Sequence, residues 1–240
     1  MGWHRELLIG FDLETTGTDP FQARIVTAAV IEVREGEPVG HREWLADPGV
    51  PIPADAVAVH GISAERAAAE GLPADRVADA VADVLVGYWA TGVPVVAYNA
   101  AFDLTLLAAE LRRHRLPSLS DRLGGAVPGP VIDPYTIDRQ VDRYRRGKRT
   151  LEAVCAEYGV VLDAAHDASA DALAAARLAR AIAGRHPKVA ALGPAELHRR
   201  QIEWHAAWAA DFQNFLRRKG DAGAVVDGTW PLREPAGETV

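Results

Sequence analysis

Residues Leu7 to Phe11 form a nearly unbroken apolar run that ends in two carboxylates, Asp12 and Glu14, flanking Leu13. A short segment that is apolar on both faces reads as a strand buried within a sheet, here predicted over residues 6–13. Side chains two apart on a strand point to the same side. Asp12 and Glu14 therefore share one side of a strand otherwise built from Leu, Ile and Phe. Two carboxylates so placed repel each other and lose hydration, and a divalent cation removes that conflict. An Asp-x-Glu pair occurs by chance on many surface strands. This one carries weight because it follows a buried strand and precedes the turn cluster Thr15-Thr16-Gly17.

The rest of the chain supplies the frame. β-branched residues predict a second strand over 25–33, and His41–Leu45 a third. The short turns between them suggest an antiparallel meander. Helices are expected over 64–70, 74–89 and 101–114, with a short apolar strand over 93–98 and a loop over 117–130. Val131-Ile132 is a short strand. Asp133-Pro134 reads as a helix start, with Asp as N-cap and Pro in the first helical position, so Asp133 is taken for a cap and not a catalytic acid. Further helices are expected from Pro134 to about Tyr144, over 150–158 and over 167–184. The order β-β-β-α-β-α-β-α predicts an α/β layered domain with a mixed sheet. Residues 1–186 hold these elements. A linker over 187–194, a long amphipathic helix over 196–219 and an irregular tail to Val240 follow.

Two more motifs carry acids. Asn99-Ala100-Ala101-Phe102-Asp103 follows a strand and opens a helix. His166-Asp167-Ala168-Ser169-Ala170-Asp171 opens another. Taken singly, Asp103 and Asp171 read as acids that complement a helix N-terminus, and Asp167 or Ser169 as a cap.

Taken together, Phe11-Asp12-Leu13-Glu14-Thr15-Thr16-Gly17, Asn99–Asp103 and His166–Asp171 resemble the three motifs of the DEDDh 3′–5′ exonuclease family, across about residues 7–183. That family includes the polymerase III epsilon subunit, oligoribonuclease and RNase T. The resemblance implies a ribonuclease H-like fold with a five-stranded mixed sheet. It further implies metal ligation by Asp12, Glu14, Asp103 and Asp171, with His166 as general base. The implied cofactors are two divalent cations, Mg²⁺ or Mn²⁺, and the implied reaction is hydrolysis of single-stranded DNA from its 3′ end to nucleoside 5′-monophosphates. RNA-directed activity of the oligoribonuclease type is the alternative, and a non-catalytic nucleic-acid-binding module ranks below both.

Substrate contacts are expected from Leu13, Thr15, Gly17, His60, Asn99 and Phe102. Phe102 serves either as a stacking residue or as core. The basic loop Arg143–Arg149 offers phosphate contacts or is a solvated loop. On the last helix, Leu197, Trp204, Trp208, Phe212, Phe215 and Leu216 form an aromatic stripe. It is expected to pack on the nuclease domain or on a second copy of the chain, and polymerase association has no support in the sequence. A net charge of −7 argues against coating of nucleic acid by bulk charge. The single cysteine, Cys155, excludes an intrachain disulfide and reads as a small buried residue in a reducing, cytoplasmic setting. The N-terminal apolar run is too short for a signal-peptide core or a membrane span.

Overall fold

The computed structural model describes residues 2–163 and 165–235. Three long strands open the fold: β1 (Leu7–Thr15), β2 (Ile25–Arg34) and β3 (Glu37–Asp47). β2 runs antiparallel to both neighbours, as short connecting turns require. Helices α1 (Ala54–His60) and α2 (Ala64–Glu70), strand β4 (Leu72–Pro73) and helix α3 (Ala74–Ala90) come next. Strand β5 (Val95–Val96), helices α4 (Ala100–Arg113) and α5 (Leu119–Arg122), and strand β6 (Val131–Ile132) continue the chain. Helices α6 (Pro134–Val141), α7 (Leu151–Tyr158), α8 (Ala168–Arg185), α9 (Pro187–Ala190) and α10 (Pro194–Arg218) complete it.

The sheet order is β4-β3-β2-β1-β5-β6. β1 pairs antiparallel with β2 and parallel with β5, so the sheet changes sense at β1. The mixed sheet agrees with the sequence, but the strand count is six where five are expected. The extra strand is β4, whose two residues pair in parallel with Ala46 and Asp47. Two residues contain no alternation to read. Gly71 permits this contact, because a Cβ there would lie 2.4 Å from the Ala67 carbonyl oxygen and 2.5 Å from the Asp47 nitrogen. The loop expected over 117–130 also holds α5, started by a reciprocal Ser118–Asp121 capping box. The linker expected over 187–194 holds α9.

The sheet has a core on each face. Ile9, Phe11 and Leu13 enter the one shared with α3 and α4. Leu8 enters the other, with Ala172, Ala176 and Ala179 of α8. The even-numbered side of β1, which carries Asp12 and Glu14, therefore faces α8. Gly10 is required on that side: a Cβ would lie 2.3 Å from the Ala172 carbonyl oxygen. Close approach of β1 to the first turns of α8 is what brings the two acidic motifs together.

The expected stripe packs on the nuclease core only in part, through Leu197 and Trp204. The face of α10 that is buried consists of Leu197, His198, Gln201, His205 and Ala209, while Phe212 and Phe215 are 39% and 43% exposed. The polar residues are buried because β6 is an edge strand with unpaired backbone groups. Gln201 donates to the Val131 carbonyl (2.9 Å) and accepts from the Asp133 N–H (2.7 Å), and His198 Nδ1 accepts from the Val131 N–H (3.1 Å). Side chains thus occupy the place of a seventh strand. The tail is irregular, as expected, but it folds back: Trp230 is buried in the core beneath α4 and lies tilted against His198, with ring centroids 5.1 Å apart. Residues 236–240 of the expected tail lie outside the described residues.

The basic loop is also corrected in part. Arg145 and Arg149 pair with the fully buried Asp138 of α6, and Arg143 pairs with Asp211 of α10. These arginines tie α6 to its neighbours. Arg146 and Lys148 have no ion-pair partner among the described residues.

Candidate active site

In sheets of this kind the carboxyl ends of parallel strands, where the strand order changes sense, form a crevice. Here β1, β5 and β6 end in Asp12-Leu13-Glu14, Asn99 and Asp133 respectively. Helix α4 starts at Asn99, whose φ of +62° is left-handed, a conformation Asn tolerates better than most residues. The resulting sharp turn points the first turn of α4 back at β1. The Asp103 carboxylate accepts the backbone N–H of Leu13 at 3.2 Å. Asp171 sits in the first turn of α8, which is capped by the Asp167 side chain accepting the Ala170 N–H.

The structure brings together all five residues of the three motifs. One ligand atom each from Glu14, His166 and Asp171 lies within 4.8 Å of the others. Asp12 and Asp103 adjoin this group and interact with each other. Burial drives the Asp12 carboxyl well above the usual carboxylate range, and repulsion from Asp103, Asp171 and Glu14 adds to it. Asp103 is raised by burial, with its hydrogen bonds to backbone N–H groups opposing the shift. Burial, then Asp171 and Asp167, push Glu14 up to about 8. Asp171 is raised by burial, and the His166 backbone N–H, which donates to its Oδ2 at 3.2 Å, pulls it back. His166 is exposed and adopts a left-handed φ of +66°.

No Lys or Arg among the described residues forms an ion pair with any of these four acids. Asp171 Oδ1 is buried without a hydrogen-bond partner. Four half-buried or buried carboxylates with no lysine or arginine partner among the described residues, one of them holding an orphaned oxygen, fit a hard divalent cation. An all-protein environment leaves that charge uncompensated.

The expected substrate contacts divide. The Leu13 side chain is buried in the core, and its N–H holds Asp103. The Thr15 hydroxyl donates to the Gly17 carbonyl at 2.8 Å and closes the turn. A Cβ on Gly17 would meet nothing within 4 Å, so neither packing nor backbone conformation demands glycine there. His60 ends α1 beside the Thr15 backbone. Its Nδ1 accepts from the Ile62 N–H, and its Nε2 is buried without a close hydrogen-bond partner. The Asn99 side chain makes no capping bond. Phe102 is half-buried against the core under α4.

Two supports escaped the sequence reading. Asp133 does cap α6 through the Tyr135 N–H, but it also accepts from the Asn99 N–H (2.9 Å), the Thr136 hydroxyl (2.8 Å) and Trp230 Nε1 (3.4 Å). It thereby holds the Asn99 turn that aims α4. Glu110, buried in α4, receives Arg24 (2.6 Å), Arg113 (2.6 Å) and His114 (3.1 Å), and the Arg24 backbone pairs with Thr16. This cluster ties the turn after β1 to α4. An acid followed by Pro was visible in the sequence; nothing local marks its long-range partners.

Residues 9–179 match the model of the exonuclease (RNase T) family. The chain belongs to this exonuclease family. A DNA polymerase III epsilon-like protein of Rhodobacter capsulatus is 33% identical over 173 residues, which is 69% of this chain and 22% of that protein. The PolC-type DNA polymerase III of Streptococcus thermophilus is 30% identical over 171 residues, 70% of this chain and 10% of the polymerase. The chain thus spans only a minor part of these relatives' length. Among solved structures, exonuclease I of Methylocaldum szegediense is similar with a TM-score of 0.60 at 25% identity, covering 76% of this chain and 41% of that one. Exonuclease X in complex with 5′ overhanging duplex DNA shares the fold, with a TM-score of 0.56 at 23% identity, covering 81% of this chain and 99% of that one. These likenesses bear out the ribonuclease H-like exonuclease fold, and the enzyme class is a nuclease hydrolase. No helix among the described residues is long and apolar enough to cross a membrane.

Proposed function

We propose that the chain is a metal-dependent 3′–5′ exonuclease that removes nucleoside 5′-monophosphates from single-stranded DNA. The observation that carries the reading is the convergence of Asp12, Glu14, Asp103 and Asp171 without a lysine or arginine partner among the described residues, beside an exposed His166. The four carboxylates hold the cations. The oxygen-only donor set favours Mg²⁺ or Mn²⁺, two ions in all. Bound cations of this kind stabilise charge on a phosphate and lower the pKa of a coordinated water. His166 takes the proton of the attacking water; its place on a loop lets it approach and leave while Asp171 stays fixed on α8. Asp103 is a ligand oriented by the Leu13 N–H, and the turn from Thr15 to Gly17, with His60 and Asn99, lies where the terminal nucleotide would sit. Residues 1–186 carry this chemistry, and α10 covers the β6 edge through His198 and Gln201.

Preference for DNA rests on the relatives: DNA polymerase proteins, and E. coli exonuclease I bound to a dT13 oligonucleotide. The test uses single-stranded DNA and RNA, labelled at either end, with Mg²⁺, Mn²⁺ or EDTA. The expected result is metal-dependent shortening of DNA from its 3′ end with release of mononucleotides. Shortening of RNA alone, or from the 5′ end, would overturn the reading.

A further inference from the structure

The aromatic face of α10 lies outside the residues matched by the family, and half of it is uncovered. Its rings do not stand alone. Tyr98, the residue before Asn99, packs on Tyr135, with centroids 5.3 Å apart. The Arg139 guanidinium sits 3.8 Å from the Tyr135 ring centroid and 3.6 Å from that of Trp208. Trp208 stacks on Phe212 (5.4 Å, 15°), Phe212 on Phe215 (6.2 Å, 14°), and Lys219 Nζ lies 5.8 Å over Phe215. A continuous series of rings and cations therefore leads from the turn beside the active site to the far end of α10.

We infer that this track binds the part of a single-stranded substrate that lies 5′ of the nucleotide being removed. A helix that only needed to cover the β6 edge would have no use for stacked rings beyond Ala209. Arg218 at the exposed end has no ion-pair partner among the described residues, nor have Arg146 and Lys148 in the loop after α6. Exposed Phe212 and Phe215, with Lys219 over Phe215 and Arg218 at the same end of the helix, suit a strand that offers a π-face and a phosphate at each nucleotide. An apolar protein partner would not select the cations.

The inference rests on the exonuclease reading, and the test separates the two. The Phe212→Ala/Phe215→Ala double variant is compared with Phe212→Trp/Phe215→Trp, which keeps the stacking surface. Both alter exposed residues outside the catalytic site. On single-stranded DNA about 20 nucleotides long, the alanine variant should raise KM about tenfold or more at unchanged kcat, and on oligonucleotides of about 4 nucleotides it should change nothing. The tryptophan variant should behave as the native chain on both. In EDTA, anisotropy of a 5′-fluorescein oligothymidylate should show the same ordering in Kd. Equal KM changes on long and short substrates would overturn the inference. So would unchanged KM together with conversion of a dimer to a monomer in light scattering, which would make the face a contact between copies. Length-dependent binding without any hydrolysis would sink the exonuclease reading, and with it the 5′ assignment, leaving strand binding by this face alone.

Discussion

At the scale of single residues, the site is defined by charge that the protein itself does not balance. Glu14 in the folded chain keeps its proton up to about 8, against an ordinary value of 4.5, and burial raises Asp12, Asp103 and Asp171 as well. Between those two pH values the folded state binds more protons than the unfolded one, so the metal-free protein loses stability as pH rises through this window. Thermal unfolding in EDTA should give a Tm that falls from about pH 5 to about pH 8 and then levels off. Added Mn²⁺ should reverse the loss most strongly at the alkaline end, because cations must displace those protons. A Tm that rises with pH in EDTA would contradict the assignment of the uncompensated carboxylates.

At the scale of elements, geometry depends on how closely β1 and α8 approach. Gly10→Ala places a methyl group against the Ala172 backbone and should cost about 1–3 kcal/mol of stability. It should also lower kcat, because separating the two elements moves Glu14 from Asp171; urea unfolding and turnover check the two effects. Much of this level was legible in the sequence. The apolar run, the helices α3 and α4, and the cap Asp133 follow from local chemistry, and Asp167 is the one of the two candidate caps that starts α8. What was not legible depends on distant partners. β4 exists only because Ala46 and Asp47 offer it an edge. Gln201 and His198 look like surface residues of a helix until the unpaired backbone of β6 is in view. Arg145 and Arg149 look like free cations until Asp138 is seen to be buried between them.

At the scale of the whole molecule, the C-terminal segment and the nuclease core hold each other. The tail runs back from α10 so that Trp230 reaches Asp133 and the backbone of Arg233 donates to the Thr105 hydroxyl at 2.9 Å. Trp230→Ala removes a buried ring from the core under α4 and should cost about 3–5 kcal/mol. Through Asp133 and the Asn99 turn it should also reduce activity at temperatures where the chain remains folded. Thermal unfolding and assays well below the Tm distinguish the two effects. The three motifs stood out in the sequence because each pairs a recognisable local signal with an acid. Their convergence is a property of the β1–β5 switch and of α8 packing over Gly10.

The central claim is that these carboxylates form a cation site. Calorimetric titration of Mn²⁺ into the native chain and into Asp12→Asn, which keeps the shape of the side chain, tests it most directly. Saturable binding to the native chain that is lost or weakened by about a hundredfold in the variant, with an unchanged circular dichroism spectrum, is the predicted result. Equal Mn²⁺ binding by the two proteins would contradict it.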